Sequence, residues 1–171
     1  MKFFLIASEL ELPNCPSIVE DSVIFTGIGK TNAAMWATKL CTQWGNNLDL
    51  IVNVGTAGSF NEAYSGMHKC GTFVNLDGDD SFNNERYVFN KDGLTIGSSD
   101  SFVDNENLYL DKPDLVDMES FAIAHVCHNF GVNFVCHKYI TDYIGSNSVN
   151  QWLESVKKAE CEIFKIIYSY I

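Results

Sequence analysis

The chain has 171 residues, 46% of them hydrophobic and 19% charged, with a formal net charge of −11. Residues 1–171 therefore suit one ordered domain with a real core and are too few for two comfortable ones. The acidic balance and the lack of any Lys/Arg cluster argue against a nucleic-acid binder, and no apolar run is long enough to span a bilayer.

In chain order, Met1–Ser8 (MKFFLIAS) begins like a secretory leader. Its apolar run is short, however, and Glu9 and Glu11 stand where a small-residue cleavage site would be. It is read as a buried first strand over Lys2–Ala7. Pro13 and Pro16 bracket a turn, and Val23–Phe25 forms a second strand ending in Thr26-Gly27-Ile28-Gly29. Ala33, Ala37, Leu40, Cys41 and Trp44 recur at helical spacing, and Asn46-Asn47 ends that helix. Leu48–Val54 is a central strand running into Gly55-Thr56-Ala57-Gly58, which reads as a small-residue turn. Strands are expected at Gly71–Leu76, Leu94–Ser98 and Val132–Ile140, Leu115–Met118 is short and apolar, and solvated loops are expected at Asp77–Glu85 and Thr141–Ser148. Glu119–Asn129 reads as a buried helix, and Val149–Tyr168, with Trp152, Val156, Ile163 and Ile167, as the closing one. Such alternation predicts a three-layer α/β/α domain with a largely parallel or mixed central sheet. Ligands in such sheets sit at the strands' C-terminal ends. Gly55–Gly58, Ser98–Phe102, Asp117–Glu119 and Thr141–Asp142 all fall there.

Two tempting motifs fail on spacing. Gly27-Ile28-Gly29-Lys30-Thr31 is no P-loop, because Ile24 stands where the first glycine must be. Nor is it a dinucleotide fingerprint, because Asn32 replaces the third glycine; a tight turn opening a helix explains it. His125, Cys127, His128, Cys136 and His137 resemble metal ligands, but His125 and Cys127 point to different helix faces. No metal and no cofactor is expected. The six cysteines have irregular spacing and no C-x-x-C pair, so they read as reduced thiols of a cytoplasmic protein.

The carboxylates carry more. Glu11 follows the first strand, Glu119 opens a helix and Asp142 ends a strand. Cleaving an N-glycosidic bond needs an acid for the leaving base, a carboxylate for water, and groups that grip the ribose. Three acids in one pocket could supply these roles, although on spacing alone a surface position is the better explanation of any one of them.

Several segments resemble one family in order along the chain. Val116–His128 (VDMESFAIAHVCH) is similar to V-E-M-E-A-x-A-I-A-H-V-C, and Phe134–Asp142 (FVCHKYITD) to a strand ending in R-A-I-S-D. Thr26–Ala34, Asp49–Gly58, Ser99–Phe102 and, more loosely, Ala7–Leu12 match further family segments. The chain thus resembles the methylthioadenosine/S-adenosylhomocysteine nucleosidases of the nucleoside phosphorylase superfamily. That resemblance implies a nucleoside phosphorylase-like fold and a purine nucleoside as the small-molecule partner. It also implies a homodimer or other homo-oligomer and a place in methionine salvage. It assigns Asp142 as the acid at purine N7 and Glu11 as holder of the attacking water, with Thr56 nearby. Phe102 would stack on the base, the Val103 backbone would read its edge, Met118 would pack under the sugar, and Glu119 would bind the ribose hydroxyls.

There are departures too. Lys138 stands for the family arginine, Asp117 for a glutamate, and the chain is shortened before Thr26 and between Cys70 and Leu94. The single arginine, Arg86, lies away from Gly55–Gly58, which favours water over phosphate as nucleophile. A phosphate-dependent phosphorylase and a non-catalytic nucleoside-binding protein of the same fold are the alternatives.

Overall fold

A computed structural model describes residues 1–77, 85–105, 112–145 and 148–171. Among these residues, eight strands form one mixed sheet: β1 (Lys2–Ile6), β2 (Val23–Phe25), β3 (Leu50–Ser59), β4 (Gly66–Asn75), β5 (Arg86–Val88), β6 (Leu94–Ser98), β7 (Leu115–Asp117) and β8 (Asn133–Tyr143). β1 pairs in parallel with β2 and β3, β3 with β8, and β6 with β4 and β7. The β3–β7, β4–β5 and β4–β8 pairs are antiparallel. Followed around, β3–β8–β4–β6–β7–β3 closes on itself, so the centre of the sheet rolls into a ring.

Among the described residues, three α-helices cover the sheet: α1 (Lys30–Trp44), α2 (Ser120–Phe130) and α3 (Ser148–Ser169). The two-residue period of a strand sends its side chains alternately to the two layers. Phe3, Leu5 and Ile51 meet Ala33, Ala37, Leu40 and Cys41 of α1 and the buried residues of α2. Phe4, Ile6, Val52 and Val54 meet Ala159, Ile163 and Ile167 of α3. This is the expected three-layer α/β/α arrangement. The α2 helix ends at Gly131, whose φ of 68° only glycine adopts cheaply and whose N–H closes onto Cys127 and His128 carbonyls.

The boundaries differ from the sequence reading in informative ways. Gly55–Gly58 is no turn: β3 runs through it to Ser59. Likewise Thr141–Tyr143 belongs to β8 rather than to a loop. Arg86 lies on the short edge strand β5, where no strand is expected from the sequence. Of the expected Asp77–Glu85 loop only the two ends lie within the described residues. Four cysteines are buried as free thiols, Cys15 is half-buried and Cys161 exposed.

Candidate active site

The C-terminal ends of β1, β3, β7 and β8 open into a cleft of about 690 Å3 including its mouth. All seven residues singled out in the sequence line it: Glu11, Thr56, Phe102, Val103, Met118, Glu119 and Asp142. Phe102 stays exposed at its edge and Val103 is buried.

Glu11 is brought in by a tight turn after β1, with its backbone N–H bonded to the Ser8 carbonyl at 3.1 Å. The residue is 3% exposed. Its Oε1 accepts both the Thr56 backbone N–H and the Thr56 hydroxyl at 2.7 Å, and its Oε2 accepts the Ser8 N–H at 3.3 Å. Gly55 makes this possible: a Cβ there would stand 2.9 Å from Glu11 Oε1.

Asp142 gains its place through a register slip. Ala57 pairs with Ile140, but Gly58 pairs with Asp142, skipping Thr141. A glycine thus faces the acid, and a Cβ on Gly58 would lie 2.9 Å from Asp142 Oδ2. The small-residue run that reads as a turn is therefore a strand cleared for two carboxylates. Burial pushes the Asp142 carboxyl up to about 6, partly offset by the Thr141 hydroxyl donating to Oδ1 at 2.8 Å.

Glu119 precedes α2 and reaches across to the start of α1, where its Oε1 accepts the Gly29 N–H at 2.8 Å. Gly29 has a φ of 102°, so the glycine turn of the sequence is needed to aim this N–H. Burial first, then neighbouring Asp117, raise the Glu119 carboxyl to about 7, against the pull of Lys138 and the Gly29 N–H.

Beneath the cleft, Lys138 Nζ pairs with Asp117 Oδ2 at 2.9 Å, both side chains almost fully enclosed. Asp117 also accepts the Ser98 and Ser120 hydroxyls and the Ser120 N–H, which ties β6, β7 and α2 together. Burial disfavours the Lys138 charge, but Asp117, Cys136 and Glu119 outweigh it and keep its pKa high. His125 meets Tyr87 at 2.7 Å and Glu85 at 3.5 Å on the outer side of α2. Sequence reading gave Trp152 no place in the site, because its spacing matches the buried stripe of α3. It lines the cleft and donates its indole N–H to Thr56 Oγ1 at 3.1 Å.

A profile of the phosphorylase superfamily matches residues 78–171, more than half of the chain. The chain belongs to the phosphorylase superfamily. A comparison with curated protein sequences returns no match. Among solved structures, the chain is similar to a 5′-methylthioadenosine/S-adenosylhomocysteine nucleosidase from Colwellia psychrerythraea 34H, solved in complex with adenine. The TM-score is 0.82 at 20% identity, over 98% of this chain and 93% of that one. It is also similar to the futalosine hydrolase of Helicobacter pylori, with a TM-score of 0.82 at 16% identity over 99% and 97% of the two chains. A third similar structure is an adenine-bound protein from Borrelia burgdorferi B31, itself described as a putative nucleosidase of the first kind. Here the TM-score is 0.79 at 20% identity, over 98% and 97% of the chains. At these identities the likeness is one of phosphorylase-superfamily fold.

Proposed function

We propose that this phosphorylase-superfamily member hydrolyses the N-glycosidic bond of a purine nucleoside, releasing the free base. The observation that carries the reading is the charge of the cleft. Its ionisable lining is Glu11, Asp117, Glu119 and Asp142, with no Lys or Arg among the described lining residues. The residues outside the description, 78–84, 106–111 and 146–147, contain no Lys or Arg either. A phosphate dianion needs cationic or paired N–H partners, which this lining does not offer, and the ionised Glu11 and Glu119 that the reaction needs would repel it. A water nucleophile needs a carboxylate, and an oxocarbenium-like ribosyl group is stabilised by negative charge.

In the proposed reaction, protonated Asp142 gives its proton to purine N7 while the electron pair of the C1′–N9 bond leaves with the base. Water adds to C1′, and its proton passes to Glu11. Glu119 accepts hydrogen bonds from the ribose hydroxyls, Met118 packs under the sugar and Phe102 stacks on the base. Val103 offers its backbone to the edge of the base. Purine preference follows from Asp142, because a pyrimidine has no N7. Methylthioadenosine and S-adenosylhomocysteine, the substrates in the names of similar structures, are the first candidates.

Asp142→Asn is the test. It keeps shape and the acceptor for Thr141 but removes the proton, so base release should fall by at least about 100-fold, the usual worth of a general acid. Binding of the nucleoside should persist by calorimetry. Full activity in this variant would remove Asp142 from the role.

A further inference from the structure

The first turn of α3 makes two contacts that the proposed chemistry does not use. Gln151 Oε1 accepts the Tyr143 backbone N–H at 3.0 Å, one residue past Asp142. Trp152 Nε1–H donates to Thr56 Oγ1 at 3.1 Å. Neighbouring residues of one helix therefore hold the strand that carries Asp142 and the hydroxyl that holds Glu11.

The second contact has a fixed direction. An indole N–H can only donate, and a threonine hydroxyl has one proton to give. That proton goes to Glu11 Oε1 at 2.7 Å, where the Thr56 N–H also arrives at 2.7 Å. The order is thus indole to hydroxyl to carboxylate, and hydrogen bonds in such a series strengthen one another. Without the indole, the Thr56 rotor could turn its proton to water or ligand. With it, Oε1 is occupied by two short donors, and Oε2, with its longer 3.3 Å contact to the Ser8 N–H, is the oxygen left to take a proton from water.

The geometry points to Trp152 as a positioning residue for Glu11, acting through Thr56 rather than on the substrate. This rests on the reading of Glu11 as the group that holds the attacking water. The competing role is that of an apolar wall: Trp152 is half-buried and lines the cleft. The two roles separate by substitution. Trp152→Phe keeps an aromatic wall, smaller by one ring, and deletes the donor. It should lower kcat about three- to tenfold, the usual worth of one hydrogen bond, with KM within about twofold. Thr56→Val should lower kcat as well, and Thr56→Ser, which keeps the hydroxyl, should restore it. Because the two residues act as one series, the Trp152→Phe/Thr56→Val double variant should be no slower than Thr56→Val.

Base-release kinetics of these variants, together with exchange of the indole N–H by NMR in wild type and Thr56→Val, decide the matter. Trp152→Phe identifies its own signal among the three tryptophans. An unchanged kcat in Trp152→Phe, or effects that multiply in the double variant, overturns the assignment. Absence of base release by wild type would sink the proposed function instead, and the indole signal would then decide the relay alone. Faster exchange in Thr56→Val upholds the relay; unchanged exchange overturns it.

Discussion

Asp142 and Glu119 show how burial sets the working range of a carboxylate. Both are raised by desolvation, to about 6 and about 7. The proposed chemistry needs Asp142 protonated and Glu119 ionised, a combination that is most populated between those two values. The pH profile of kcat/KM for base release should therefore be a bell with its maximum between about 6 and about 7. A profile still rising at pH 8 would contradict these roles. The same shift predicts stability. A carboxyl with a raised pKa in the folded state contributes stability below its ordinary value near 4 and loses it as pH rises to about 6. Asp142→Asn removes that loss, so it should match wild type in thermal denaturation near pH 4. Above pH 6 it should be more stable by about 1–3 kcal/mol, on the scale of 1.4 kcal/mol per pKa unit. No pH-dependent difference would mean that Asp142 is better solvated than its burial implies. At this scale the sequence was readable in part. Acids at strand ends, set against family segments, picked out Glu11, Glu119 and Asp142. Their pKa values depend on neighbours brought in by the fold, such as Asp117 and Lys138, and no local pattern carries those.

Elements position these residues through clearance and pairing. Gly55→Ala would put a methyl 2.9 Å from Glu11 Oε1 within a buried strand. The chain should stay folded by circular dichroism while kcat falls at least about tenfold, because a small displacement of a catalytic group costs rate steeply. Unchanged kcat would show that Glu11 can shift freely. Lys138→Met leaves Asp117 as a buried charge without its cation, so it should destabilise the protein by roughly 3–5 kcal/mol, measured by urea denaturation. A loss below 1 kcal/mol would mean that Ser98 and Ser120 suffice for Asp117. Periodicity found α1, α2 and α3 because each buries one stripe or nearly all of its surface. It misjudged the ends of β3 and β8 because Gly55–Gly58 carries small residues to make room for carboxylates, which reads as a turn. It missed β5 because that strand has three residues, of which only Tyr87 is buried. Trp152 was hidden for a related reason: a residue one turn before the buried stripe of α3 matches the stripe's own spacing.

At the scale of the whole molecule, the alternation of strands and helices was enough to expect an α/β/α sandwich, since each pattern must bury its apolar face. The ring through β3, β8, β4, β6 and β7 was not legible, because it is made by pairings between segments far apart in sequence. That ring brings the ends of β3, β7 and β8 together, and the cleft forms there. Its chemical character follows from the four acids that line it, with the chain's one arginine on β5, where it lines a separate hollow. The central claim is that water, not phosphate, receives the ribosyl group in this cleft. The most direct measurement is chromatographic release of free base from methylthioadenosine, S-adenosylhomocysteine, adenosine and inosine, each with and without phosphate. Purine release at equal rates in both conditions, with free sugar as co-product, is the predicted result. Release that requires phosphate and yields a sugar 1-phosphate, or no release from any of them, would contradict it.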